Sequence, residues 1–96
     1  MTVWWMPSAE TDLDQIELYI AADNPEAAAA VAERILEATA VLERFPLAGR
    51  AGRVEGTREI VVTGTPYIIA YAVRRDQIVI LAVVHGSRAW PEELET

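Results

Sequence analysis

The sequence contains no cysteine and no lysine, and it has a single histidine among its 96 residues. Without cysteine, neither a disulfide framework nor a thiolate metal site can form, and the composition fits a reducing cytoplasm. We expect no metal and no cofactor. Because lysine is missing, arginine supplies all eight permanent positive charges of the side chains.

Long apolar runs are also missing. The longest, Ile78–Val84, falls far short of the ~20 residues that a membrane helix needs. The first residues, Met1–Pro7, lack the positive segment and the long apolar stretch of a secretory signal. We therefore expect a soluble cytoplasmic protein that makes no membrane contact. The length predicts a single domain, residues 1–96.

The formal charge of −7 is unevenly distributed along the chain. Residues 1–48 carry nine acidic side chains against two arginines, residues 49–91 carry six arginines against three acids, and the last five residues add three glutamates. Broad nucleic-acid binding replaces counterions by basic side chains, so the overall acidity argues against it. A local arginine surface in the second half stays open.

The first half of the chain predicts a short strand and a helical hairpin. A β-branched and aromatic segment at the start predicts a strand over residues 2–7. Apolar residues then recur at spacings of four and three, which predicts a helix over about 8–22. Asn24 and Pro25 suit the first positions of a second helix over about 25–45.

The second half predicts a sheet. A glycine-rich loop begins at Pro46, and three β-branched runs follow over about 57–63, 66–74 and 77–85. Turns of hairpin length separate these runs. The order β-α-α-β-β-β predicts an α+β fold, with the helical hairpin packed on one face of a small antiparallel sheet and a short C-terminal tail.

The second face of this sheet carries few polar residues. The residues that alternate along the middle run on that face are Ile68, Ala70, Ala72 and Arg74, and the last run is apolar on both sides. An antiparallel sheet with one wet face should alternate apolar and polar residues. Two helices cover only one face, so we expect either a partner or the C-terminal segment with Trp90 to cover the other.

Five segments of the chain together resemble a known family. They are Ser8–Pro25 with the following helix, Phe45–Arg53, Thr57–Val61, Pro66–Tyr71 and Val84–Arg88. Their order and spacing resemble the ParE/RelE superfamily of toxins from type II toxin–antitoxin systems, and the His-Gly-x-Arg wording at 85–88 is closer to ParE-like members. The resemblance extends over nearly the whole chain.

The resemblance implies a growth-inhibiting toxin, as found in plasmid stabilisation systems, that a co-expressed antitoxin neutralises. The antitoxin is expected to cover the open sheet face and to lie along the hairpin. ParE-like members inhibit DNA gyrase, whereas RelE-like members cut mRNA on the ribosome. A third interpretation is a protein-binding module that has kept the fold and lost the toxicity. The assembly, either a homodimer or a toxin–antitoxin hetero-oligomer, stays open.

A ribonuclease of this family would need an acid or base and cations for the phosphate. The candidates are His85, Arg58 and Arg88. The missing lysines and the acidic tail count against this chemistry, so the sequence favours gyrase inhibition. Gyrase inhibition needs no catalytic residue, and we therefore assign none. A histidine at a strand end is more often structural than catalytic.

A second group of residues is predicted to bind the target or the antitoxin. Its members are Arg50, Arg53, Arg58, Ile68, Ala70, Ala72, Arg74 and Arg88. For Arg50 and Arg53, the alternative is a structural turn in which the arginines pair with Glu55, Glu59 or the acids of the hairpin.

Overall fold

The computed structural model describes residues 1–87, which form two helices and five strands. The helices are α1 (Pro7–Ala21) and α2 (Pro25–Arg44). The strands are β1 (Thr2–Trp5), β2 (Arg50–Ala51), β3 (Arg58–Val61), β4 (Tyr67–Arg74) and β5 (Gln77–His85). Of these, the sequence pattern did not predict β2, whose two residues lie inside the glycine-rich loop.

Both helices begin with proline, which lacks the N–H that the first turn of a helix leaves unpaired. In α2, the side chain of Asn24 also accepts a hydrogen bond from the backbone N–H of Ala27 at 3.0 Å. The first helix starts at Pro7, one residue before the predicted boundary, with Met6 at the capping position and no side-chain bond there. Neither helix in residues 1–87 combines the length and the apolar character that crossing a membrane requires.

The strands form one sheet in the order β1-β5-β4-β3-β2. The α+β fold and the antiparallel meander of the last three strands are confirmed. The predicted sheet was antiparallel, whereas the observed sheet is mixed, because β1 joins the meander by pairing parallel with β5. Parallel neighbours need a long crossover connection, and the helical hairpin and the loop after it lie between these two strands in the sequence.

The core lies between the hairpin and one face of the sheet. Ile35 and Leu42 of α2 are fully buried against Ile69 and Tyr71 of β4 and Ile80 of β5. Each such side chain contributes roughly 1.5–3 kcal/mol through its removal from water. This packing fixes which face of β4 and β5 the helices cover.

The second face of the sheet is not open in the isolated chain. Ile68, Ala70 and Ala72 are 8%, 0% and 2% exposed. Met6 packs against the part of this face that Ala72 forms with Val79 and Leu81 of β5. The sequence predicted that a partner or the C-terminal segment covers this face, and the burial of these three side chains agrees with a covered face without identifying the cover. The expectation for Trp90 concerns a residue outside the described part of the chain.

Candidate functional site

The loop between α2 and β3 is fixed by Tyr71, whose side chain has no exposed surface. Its hydroxyl donates a hydrogen bond to the carbonyl of Pro46 at 2.9 Å and accepts one from the backbone N–H of Gly49 at 2.8 Å. A Cβ atom on Gly49 would lie 2.6 Å from that hydroxyl oxygen. Glycine is therefore required for the close approach of the loop to β4. In the sequence, Tyr71 was recognisable only as a bulky strand residue.

The guanidinium of Arg58 holds the same loop from β3. It donates to the carbonyl of Gly49 at 2.8 Å and to that of Leu47 at 3.4 Å. These bonds direct the guanidinium towards the backbone of its own chain. In this arrangement the guanidinium of Arg58, a predicted phosphate ligand, is bonded to backbone carbonyls of the loop.

A buried carboxylate organises the arginines of the loop. Glu59 is 4% exposed and accepts hydrogen bonds from the backbone N–H of Arg53 at 2.8 Å, from Arg53 Nε at 3.3 Å and from Arg50 Nη2 at 3.5 Å. Burial raises the pKa of Glu59, but the bonds and charge of Arg53 and the bond from Arg50 outweigh it and leave the pKa below its ordinary value. The structural turn is thus formed, with Glu59 as the partner.

The outer parts of the two loop arginines stay accessible. The side chains of Arg50 and Arg53 are 63% and 47% exposed. Arg74 is also exposed, and it lies three residues beyond Tyr71 on β4, at the end of the sheet where the loop joins β3. The fold therefore brings the loop arginines and Arg74 to one end of the sheet.

His85 lies at the other end of the sheet. Its ring is half-buried and meets the ring of Tyr67 edge-on, with 5.6 Å between the centroids. Its Nδ1 accepts a hydrogen bond from the backbone N–H of Ser87 at 3.2 Å and lies 2.9 Å from the Ser87 hydroxyl oxygen. These contacts agree with a structural histidine.

A cleft of about 430 Å³ runs beside His85, between α1 and β5. On its helix side, a carboxylate oxygen of Asp12 accepts a hydrogen bond from the backbone N–H of Val83 at 3.0 Å. Burial raises the pKa of Asp12, and the bond from Val83 opposes that shift. Asp12 thus satisfies a backbone group of β5 beyond the point where β1 ends.

The sheet register separates two of the proposed nuclease residues. Arg58 stands opposite Tyr71 and His85 opposite Tyr67, on the two strands that flank β4. Four residues along a strand span roughly 13 Å and two strand spacings roughly 10 Å, so their Cα atoms are about 16 Å apart. Arg58 therefore does not share a phosphate site with His85. Arg88 lies outside residues 1–87, and those residues contain no cluster of acidic or histidine side chains that could hold a metal.

Known proteins resemble this chain over most of its length. The model of the family described as ParE toxin of type II toxin-antitoxin system, parDE, matches residues 3–90. The chain is 44% identical over 90 residues to "Putative toxin Y4kP" of Sinorhizobium fredii (strain NBRC 101917 / NGR234), which covers 94% of this chain and 93% of that protein.

The fold is also similar to a solved structure titled "Chromosomal ParDE TA system from P. aeruginosa". The TM-score is 0.79 and the identity 28%, over 88% of this chain and 95% of that chain. The resemblance that the sequence pattern indicated is confirmed by these three matches. The chain belongs to the family of ParE toxins of type II toxin–antitoxin systems.

Proposed function

We propose that this chain inhibits bacterial growth by binding DNA gyrase, and that a cognate antitoxin neutralises it. The observation that carries the proposal is that the side chain of Arg58 is bonded to the loop of its own chain. Its guanidinium is bonded to Gly49 and Leu47, and it stands about 16 Å from His85 by strand spacing. Membership of the ParE family supports the same target class. A gyrase inhibitor works in the cytoplasm, where the target is.

The surface that we assign to the target is the arginine-bearing end of the sheet. Arg50 and Arg53 project from a loop that Tyr71, Arg58 and Glu59 hold in one conformation. A preorganised loop loses little conformational entropy on binding, which lowers the cost of forming a complex. Its arginines carry positive charge, which complements an acidic protein surface. Arg74 extends this surface.

Of the other predicted binding residues, Ile68, Ala70 and Ala72 can contact an antitoxin only if their face becomes accessible, because they are buried in the isolated chain. The proposed contact between this face and an antitoxin therefore includes a rearrangement. Arg88 remains a predicted contact outside residues 1–87.

A supercoiling assay tests the proposal. Purified chain at stoichiometric excess should stop gyrase from supercoiling relaxed plasmid. Arg50→Gln/Arg53→Gln should weaken the inhibition at least about tenfold, or ~1.4 kcal/mol, because two cations are lost from the surface together with their bonds to Glu59. Arg44→Gln, which removes a positive charge at the end of α2, is the single-charge control and should inhibit normally. Undisturbed supercoiling combined with cuts in translated mRNA would instead favour a nuclease. Undisturbed growth on induction would favour the non-toxic binding module.

A further inference from the structure

The cleft between α1 and β5 contains a buried polar group that the fold leaves without a partner. Tyr67 lines the cleft and is 7% exposed, and its hydroxyl makes no hydrogen bond to any residue in the described part of the chain. Buried hydroxyls are usually paired, because an unpaired one costs free energy in a place that water reaches poorly. The hydroxyl of Tyr67 therefore suits a polar molecule held in the cleft.

The cleft also contains a negative charge that is incompletely compensated. Asp12 is half-buried, and only one of its two carboxylate oxygens, Oδ2, is bonded to a described residue, the N–H of Val83. Burial raises the pKa of Asp12 although this bond opposes the shift. Of the residues within 1–87 that line the cleft, none carries a permanent positive charge. A cation from outside the chain would restore the balance.

The sheet register places the carboxylate and the hydroxyl near each other. Val83 stands opposite Ile69, and Tyr67 lies two residues before Ile69 on the same face of β4. Such diagonal neighbours are about 7–8 Å apart, so Asp12 on Val83 and the side chain of Tyr67 lie within reach of one small molecule. Ile16 of α1 adds an apolar wall to the cleft.

We propose that this cleft binds a small organic cation, with a guanidinium or primary ammonium head on a short apolar stem. The head donates hydrogen bonds to the second oxygen of Asp12 and to the Tyr67 hydroxyl, and the stem lies along Ile16. A guanidinium suits this role because its donors spread in a plane and can reach two acceptors at once.

The Asp12 bond decides against an added protein strand as the occupant. The backbone N–H of Val83 is already taken at 3.0 Å, so a strand placed along this part of β5 would lack a donor of the ladder. The volume of about 430 Å³ falls within the ~300–1,000 Å³ that is usual for small-molecule sites. The cleft therefore suits a free small molecule, whichever target the toxin has.

The test is an NMR titration of the full-length ¹⁵N-labelled chain with n-butylguanidinium and, separately, with n-butylurea. The two probes have nearly the same size and shape, but only the first is charged. The guanidinium should shift the backbone amide signals of Asp12, Val83 and His85 and bind at least tenfold more tightly than the urea, a difference of about 1.4 kcal/mol. Bonds to charged groups are the stronger ones, which is the reason for this preference.

Three variants assign the binding to the cleft. Asp12→Asn keeps an acceptor for the Val83 N–H and should bind the guanidinium at least tenfold more weakly. Asp14→Asn removes the same charge from an exposed position of α1 that does not line this cleft, and it should bind normally. Tyr67→Phe removes only the hydroxyl and should weaken binding about threefold, through the loss of one hydrogen bond.

Four results would overturn the proposal. They are equal binding of the two probes, an equal loss in Asp12→Asn and Asp14→Asn, signal shifts that lie away from the cleft, and an unchanged affinity in Tyr67→Phe. The comparison of the two probes uses the unaltered chain, so it decides even where a variant fails to fold. No gyrase is present in this experiment, and its failure leaves the proposed function untouched.

Discussion

Replacing Tyr71 by phenylalanine removes one hydroxyl from the side chain that fixes the arginine loop. Two hydrogen bonds disappear, at 2.8 Å from Gly49 N–H and at 2.9 Å to the Pro46 carbonyl. The residue Gly49 is buried and Pro46 half-buried, so their polar groups lose their partner in places that water reaches poorly. An unsatisfied buried donor costs about 2 kcal/mol and the half-buried acceptor about 1 kcal/mol.

The expected loss is therefore about 3 kcal/mol of unfolding free energy, a large part of the ~5–15 kcal/mol of a typical domain. In a domain of this size the melting temperature should fall by roughly 12–24 °C. Urea unfolding followed by tryptophan fluorescence and circular dichroism measures both changes. Limited proteolysis should also show earlier cleavage in residues 46–57, because the loop loses its anchor on β4.

Tyr67→Phe is the matched control. Tyr67 lies on the same face of β4 as Tyr71 and is 7% exposed, and its hydroxyl has no hydrogen-bond partner in the described part of the chain. Its removal should change stability by less than about 0.5 kcal/mol. If Tyr71→Phe costs no more stability than Tyr67→Phe, the Tyr71 hydroxyl does not hold the loop in place and does not preorganise the arginine surface.

Three further changes probe the same framework. Glu59→Gln should lower the unfolding free energy by about 2 kcal/mol at pH 7, because charge-assisted bonds are lost. The pKa of Glu59 is depressed in the folded state, so the difference in unfolding free energy from the wild type should persist at every pH above the ordinary pKa of 4.5. In urea titrations this difference should disappear as the pH falls through the folded-state pKa. A gap that widens in acid would contradict this assignment. Asp12→Asn should be at least as stable as the wild type at pH 7, because the raised pKa of Asp12 shows that its charged form is disfavoured, and the two should converge in acid; a marked loss at pH 7 would contradict the burial argument. Gly49→Ala should cost about 2–3 kcal/mol through the clash with the Tyr71 hydroxyl and Glu59 carbonyl, whereas Gly56→Ala, at φ +81° in open space, should cost about 1–2 kcal/mol.

The periodic part of the fold was predictable from the sequence. The apolar spacing in both helices and the β-branched runs of the last three strands gave elements close to those observed. Proline and asparagine at the start of α2 act locally, so residues 24 and 25 were sufficient evidence of its beginning. Local rules therefore account for the hairpin and the meander.

Features that depend on contacts between distant residues were not predictable. The parallel pairing of β1 with β5 joins residues about 75 positions apart in sequence, and nothing in the first strand states its direction. The burial of Ala70 and Ala72 likewise depends on what packs over that face, whereas the sequence shows only that both are apolar. The partners of a flexible side chain are also set by tertiary structure.

Arg58 illustrates this limit for the candidate site. An arginine near the start of a strand suits phosphate binding and backbone anchoring equally well, and the sequence offers no means of choosing. The choice is made by the turn at Gly49, which places a carbonyl 2.8 Å from the guanidinium. The pairing of Arg50 and Arg53 with Glu59 was among the predicted alternatives, because these residues lie close in sequence.

The most direct test of the proposed target follows gyrase and translated mRNA in parallel with the same purified chain. We predict that supercoiling of relaxed plasmid stops at stoichiometric excess of the chain, while mRNA in a translation extract stays intact. We also predict that folded His85→Ala keeps the inhibition. Full supercoiling at that excess, together with codon-biased cuts in the mRNA that disappear in His85→Ala, would contradict these predictions.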